Sequence, residues 1–498
     1  MRRSLSSVGW IATLLLAPLA HAGEPSDAGI AWHEGGVAGA FNAARAANKP
    51  VLLYWGAKWC PPCQQLKAFV FTRSDFIEKS KQFIAVHLDG DDPDAQHWAG
   101  KFHVSGYPTV VILRADQREI TRISGGNDLS SYANLLDAAL RDIKPLASVL
   151  AVLRKNPAAL TPSDCRRLAY YPWLDSDDRD AAHRSLAVEL AQSARACGHS
   201  SPAERARMVV ASAALAPAPN TTERVIDIVH DAQLASQVVD ALEGLREPFF
   251  VTVAARGPAV SSRFQSDWIR TMDQVADDPH VADPDRLYAV ATKLDLVRQF
   301  APDKKVPAPM AADASSRAAT DLGKRVDPYA RAAVVNAASD IYDKLEDDDA
   351  QYALLQSEVK TAKAPYYYMV DIAEIEEKRG REAEAVRWYA RAYRESEGPA
   401  TRFQWGALYL TALLRLAPRD RDLILKVGTQ VIAELDGPER IEARTRGRLE
   451  KLDSKLRLWN GDHRHDDDVA ALRTAMRGVC AKLPHNDSGL DSCRKFLS

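Results

Sequence analysis

Val51-Leu52-Leu53-Tyr54-Trp55-Gly56-Ala57-Lys58-Trp59-Cys60-Pro61-Pro62-Cys63-Gln64-Gln65-Leu66 passes from a strand pattern into a helix pattern, with two cysteines at the join. The apolar run Val51 to Trp55 reads as a buried strand, and Gln64 to Glu78 reads as the helix that follows. A sulfur at a helix N-terminus faces unsatisfied amides and the positive end of the helix dipole, which favours a thiolate. Lowering its pKa by about one to two units favours the charged form by roughly 1.4–2.7 kcal/mol. Cys63 lies one turn along and can close a disulfide back onto Cys60. Pro61 and Pro62 fit the first helical turn, where a missing N–H costs little. A zinc site would need two further ligands, and the sequence offers no second Cys-x-x-Cys and no nearby histidine pair. The spacing therefore points to a redox pair.

The flanking segments carry further signals. Trp32 and the helical set Val37, Ala40, Phe41 and Ala44 precede Lys49-Pro50. Phe83 to Asp89 forms another strand pattern, and Gly106-Tyr107-Pro108-Thr109 leads into Thr109 to Leu113. Arg118 to Ser124 supplies a last strand that Gly125-Gly126 ends. Over roughly residues 30–145 this order resembles the thioredoxin superfamily. It is most similar to periplasmic thioredoxin-like reductases, including the C-terminal domain of the transmembrane disulfide reductase. The resemblance implies an α/β thioredoxin-like domain in which Cys60 attacks and Cys63 resolves. It also implies that Pro108, in the place of the family's cis-proline, keeps the loop open for a substrate backbone and excludes metal. Trp59 and Tyr107 would flank the substrate, and Lys58 would add positive potential. One position departs from the family. The buried aspartate expected six residues before the first cysteine is Tyr54, and the lysine that partners it is replaced by His87. His87, with an ordinary pKa near neutrality, is a candidate proton shuttle for Cys63; the alternative is a strand-end histidine without a catalytic part.

At 498 residues, the chain is long enough for roughly three domains. A net charge of −2 and the lack of a basic stripe with interleaved aromatics argue against nucleic-acid binding. Arg2-Arg3, the apolar stretch Val8 to Leu19 and Ala20-His21-Ala22 read as a cleaved secretory signal over residues 1–22. That stretch is too short to span a bilayer, and no later one is long and apolar enough, so an exported, periplasmic protein is expected. In an oxidising compartment the remaining cysteines should be paired. Spacing alone allows three pairings, but the local sets Cys165 with Cys197 and Cys480 with Cys493 favour two structural disulfides.

Beyond Lys144-Pro145 strand signals vanish, and an all-α region is expected over 146–300 and 326–498. Residues 301–325, with Pro302, Pro307 and Pro309, read as a linker or long loop. Ala338, Ala350, Leu354 and Ser357 recur 35 residues later as Ala373, Ala385, Tyr389 and Ala392, with Gly380 between two helix patterns. This resembles the tetratricopeptide repeat, against the alternative of an irregular bundle. Three smaller clusters have plain explanations. Asp462 to Asp468 would cap and charge the helix that follows, rather than hold metal. Asp89 to Asp94 would be a solvated strand-to-helix connection, and Tyr366-Tyr367-Tyr368 would pack helices or line a peptide groove.

The expected function is an exported thiol–disulfide oxidoreductase, with reduction favoured over oxidation or isomerisation and with no cofactor. Its substrates would be protein thiols and disulfides, its electron donor a membrane-embedded reductase, and its helical region the part that recognises clients. The alternative is a redox-assisted chaperone or envelope scaffold with little turnover.

Overall fold

The computed structural model describes residues 29–125, 129–174, 181–436, 441–485, 487 and 489–498. The expected signal segment, residues 1–22, lies outside them, as does Gly126. Val51–Gly56 (β1) is buried at every position, as expected of a strand covered on both faces. It pairs in parallel with Ile84–Asp89 (β2) and antiparallel with Thr109–Leu113 (β3), and β3 pairs antiparallel with Glu119–Ser124 (β4). The sheet order is β2-β1-β3-β4, and a parallel bridge from Trp32 to Ala85 extends it.

The period of two along each strand divides the apolar residues between two layers. Val51, Leu53 and Trp55 face Gly36–Ala47 (α1), through Val37, Ala40, Phe41 and Ala44. Leu52 and Tyr54 face the other layer, built from Pro61–Phe69 (α2), Ser74–Ser80 (α3) and, beyond Pro93–Lys101 (α4), Leu129–Arg141 (α5). The single helix expected over 64–78 is two. The chain leaves α2 at Val70 to bury Phe71, and α3 restarts with Asp75 in its first turn, held by Arg73 at 2.9 Å.

From Leu146 onward every regular element is a helix among the described residues. The first is Leu146–Lys155, which has Pro145 at its N-cap. Thr161 and Asp164 form a capping box on Pro162–Tyr170, the helix that carries Cys165. This helix is tied back to the α/β domain, because Arg167 donates to the Asp142 carbonyl at 2.8 Å and Lys144 donates to Asp164 at 2.9 Å. The linker expected over 301–325 contains the helix Ala308–Leu322. Pro307 takes its N-cap and Pro309 its first turn, where proline starts a helix instead of breaking it.

The later helices come in consecutive pairs: Pro328–Lys344 with Asp348–Glu358, Pro365–Lys378 with Glu382–Glu395, and Pro399–Leu416 with Arg421–Ala433. Ala338, Ala373, Ala385 and Ala392 are buried, as close helix approach requires, whereas Ser357 is exposed. Asp466, Asp467 and Asp468 occupy the first turn of Asp466–Cys480 and do not cap it; the N-cap is His465, whose ring stacks on Trp459 at 3.7 Å. The distal cysteines are joined as Cys165–Cys197 and Cys480–Cys493. No helix among the described residues is long and apolar enough to cross a membrane.

Candidate functional site

Cys60 is the N-cap of α2 in an extended conformation, and its Sγ accepts the Cys63 backbone N–H at 3.2 Å. Pro61 and Pro62 fill the first turn and carry no N–H, so the Cys63 amide is the one that points at sulfur, while Gln64 N–H donates to the Cys60 carbonyl at 3.1 Å. Cys60 and Cys63 are joined as a disulfide and pack with Ala57, Trp59 and Tyr107. The Tyr107–Pro108 peptide bond is cis, and the Pro108 carbonyl accepts from Gly125 at 3.0 Å. Tyr107 is fixed from beneath, where Gln96 donates to its hydroxyl at 2.8 Å and the hydroxyl reaches the Gly90 carbonyl at 3.3 Å. Gly90 is required by that approach, since a Cβ there would lie 2.3 Å from the Tyr107 ring.

His87 sits on β2 directly beside Tyr54, in register across the parallel pair. Its ring stacks on Tyr54 at 5.0 Å and lies 5.5 Å from Trp32, within an aromatic group that also includes Phe71. Lys58 is exposed, and its carbonyl accepts from Gln64 at 2.7 Å. Thus Cys60, Cys63, Trp59, Tyr107 and Pro108 meet at one place, Lys58 stands at its rim, and His87 belongs to the layer under β1.

Over the disulfide lies the helical region, expected to recognise clients, and the residues by which it covers the site were not legible in the sequence. Only 2 % of Cys60 and none of Cys63 is exposed. Trp59 donates from Nε1 to Thr401 Oγ1 at 2.8 Å, stacks on Tyr367 at 6.3 Å and meets the edge of Trp405 at 5.1 Å. Thr401 donates its hydroxyl to Asp91 Oδ2 at 2.7 Å and its N–H to Asp91 Oδ1 at 2.8 Å. Asp91, from the turn after β2, therefore caps the N-terminus of Pro399–Leu416 from another domain. Gly398, at φ +84°, lets that turn close on the carboxylate. The 89–94 connection is accordingly not simply solvated. Asp92 caps α4 as a turn residue would, but Asp91 is withdrawn from water and its carboxyl is pushed up by that burial, against the Thr401 bonds.

The guanidinium of Arg444, on Ala443–Trp459, lies 4.4 Å from the Tyr107 ring centroid and 5.3 Å from that of Trp59. Beside the disulfide, a cavity of about 280 Å³ opens between Lys58, Trp59, Gln64 and the helical residues Tyr329, Tyr367 and Lys363. Tyr366 and Tyr368 are buried, Tyr368 with an edge on that cavity, while Tyr367 stacks on Trp59.

Residues 31–115 match the family described as thioredoxin-like. The mitochondrial thioredoxin-2 of Schizosaccharomyces pombe is 36% identical over 98 residues, covering 20% of this chain and 68% of that protein. The chain belongs to the thioredoxin family. The thiol:disulfide interchange protein DsbD of Pseudomonas fluorescens is 30% identical over 98 residues, 19% of this chain and 17% of that protein. A thioredoxin from Thermus thermophilus, known as a solution structure, aligns at 25% identity over 22% of this chain and 88% of its own, with a TM-score of 0.21. The family match falls within the thioredoxin-like domain, which carries a redox-capable disulfide, Cys60–Cys63.

Proposed function

We propose that this chain is an exported thiol–disulfide oxidoreductase that reduces protein disulfides. The observation that carries the proposal is the Cys60–Cys63 disulfide at the start of α2, beside the Tyr107–Pro108 loop. In the reduced enzyme, the Cys60 thiolate attacks one sulfur of a client disulfide. A Cys60–client bond forms, the client S–S bond breaks, and the released client thiolate takes up a proton. Cys63 then loses its proton and attacks Cys60 Sγ. The mixed disulfide breaks, Cys60–Cys63 forms, and the second client sulfur leaves as a thiolate that is protonated in turn. Two electrons pass from the enzyme dithiol to the client, and an external dithiol must restore them. A membrane-embedded reductase is the donor class suited to an oxidising compartment.

The Cys63 Nα–H bond to Cys60 Sγ supports Cys60 as the sulfur that carries charge. With Tyr54 in place of a carboxylate, the proton of Cys63 leaves through water or His87. The paired helices, read as tetratricopeptide-like units, recognise the client beside Trp59. Export rests on the N-terminal signal pattern and the three disulfides. The burial of Cys60 favours a second function, a redox-assisted chaperone or scaffold with little turnover. Insulin reduction driven by dithiothreitol separates the two. A rate above that of the Cys60→Ser variant supports the reductase, and equal rates leave the scaffold.

A further inference from the structure

We propose that Arg444, from the helical region, is a positioning residue of the redox centre, holding positive charge over the Cys60 thiolate in the reduced protein. This rests on the redox function of Cys60 and Cys63 proposed above. The residue lies nearly 400 positions from the cysteines in sequence, yet its guanidinium is clamped between the two rings that pack on them. Those rings, Trp59 and Tyr107, are 6.4 Å apart. A cation held there is not fully satisfied by its other partners. Arg444 and Arg448 both donate to one neutral acceptor, Gln404 Oε1, at 3.0 and 2.8 Å. Neither forms an ion pair with a carboxylate among the described residues, and the buried Nε of Arg444 has no acceptor there. Burial and the neighbouring Arg444 push Arg448 down to about 9, as expected of two cations held close together away from water.

The cavity side of the site carries Lys363, which lies over the Tyr329 ring, and the ion pair of Arg331 with Glu358. Asp91 and Asp89 come from the turn after β2, with Arg444 favouring the charged form of Asp91. Glu442 is engaged by His97 at 3.3 Å, and Lys58 stands exposed at the rim. Asp91 is already held by both Thr401 donors. Reduction adds a further anion beside the rings that hold Arg444. When the disulfide takes up two electrons and one proton, one sulfur becomes a thiol and Cys60 becomes a thiolate. In a site closed to water, a nearby cation acts more strongly on that charge than it would at an exposed one. The helical region thereby sets the stability of the reduced state, as well as covering it.

The test uses the full chain with Arg444→Ala, Arg444→Lys and Arg444→Gln. Thiolate absorbance of Cys60 is titrated in a Cys63→Ser background, and the reduction potential is measured against glutathione buffers with both cysteines present. Arg444→Ala and Arg444→Gln should raise the Cys60 pKa by about one unit, a tenfold loss of thiolate stability. The potential should then fall by about 30 mV at a pH where the thiolate dominates. Arg444→Lys, which keeps the charge, should stay close to wild type. Arg444→Gln retains an amide donor of similar reach, so it gives the result if Arg444→Ala does not fold. An unchanged pKa in the Gln variant overturns the assignment, and so does a Lys variant shifted as far as Ala, which would make Arg444 a packing residue. A wild-type couple that does not equilibrate with glutathione would refute the redox function, while the Cys60 titration would still report on Arg444.

Discussion

Thr401→Val removes the hydroxyl that joins Trp59 to Asp91 and should loosen the cover over the disulfide. The change keeps the shape of a side chain that is only 1 % exposed and deletes two bonds, from Trp59 Nε1 at 2.8 Å and to Asp91 Oδ2 at 2.7 Å. The Thr401 N–H bond to Asp91 Oδ1 survives. A hydrogen bond to a charged group contributes about 1.5–3 kcal/mol, and a buried indole N–H left without an acceptor costs about 1–3 kcal/mol. The two losses share one atom and are not additive, so about 2–3 kcal/mol is a reasonable total. That corresponds to roughly 30- to 150-fold in the population of molecules whose helical region has lifted off Cys60. The assay is alkylation of the reduced protein by a maleimide too large to enter the closed site, followed by mass spectrometry. Where closing is fast relative to labelling, the rate reports the open population. Thr401→Val should label roughly 30- to 150-fold faster than wild type, and Thr401→Ser, which keeps the hydroxyl, should stay near wild type. Equal rates for Val and wild type would refute the latch, as would a Ser variant as fast as Val.

Asp371 is pushed up to about 7 by burial and by the nearby carboxylates Glu374 and Asp343. Its folded pKa lies above the ordinary carboxylate value, so its contribution to stability is complete below about pH 4 and is lost as pH rises through about 7. Asp371→Asn should therefore be more stable than wild type at pH 8, by about 1–2 kcal/mol after discounting for its partly exposed side chain. The difference should vanish near pH 4 in denaturant melts, and parallel curves at both pH values would contradict this. The Cys165–Cys197 and Cys480–Cys493 bridges close separations of 32 and 13 residues. Replacing either pair by serine should lower stability by about 3–4 kcal/mol in the chain-entropy picture. Non-reducing peptide mapping that finds these thiols free in the protein purified without reductant would refute both bridges.

The α/β domain was legible because its signals are local. Val51 to Trp55 is apolar at every position, and the Cys-Pro-Pro-Cys turn and Tyr107-Pro108 sit where a strand starts or ends. Helix breaks were less visible. Residues 70–73 bury Phe71 at a corner that no proline or glycine announces, and Pro307 and Pro309 start a helix that their composition had suggested was a linker. The cover over the site left no local trace. Thr401 and Arg444 reach Trp59 across more than 300 residues, and each looks in sequence like an ordinary helix residue. Asp91 lay in a run of turn-forming acids, where a solvated loop is the ordinary expectation and only the tertiary partner shows otherwise. Tyr367 could be told from its neighbours Tyr366 and Tyr368 only once the helix that carries it faced Trp59.

The assignment of nucleophile and resolver is tested most directly by trapping. Removing Cys63 leaves the Cys60 thiolate able to attack a client but blocks the intramolecular exit from the mixed disulfide. Cys63→Ala should accumulate mixed disulfides with client proteins when expressed in cells, detected as reductant-sensitive species on non-reducing gels. Cys60→Ala should not, because Cys60, not Cys63, is the N-cap sulfur that accepts an amide at the start of α2 and is favoured as the thiolate. A Cys63 variant that traps nothing, or a Cys60 variant that traps equally well, would contradict the account.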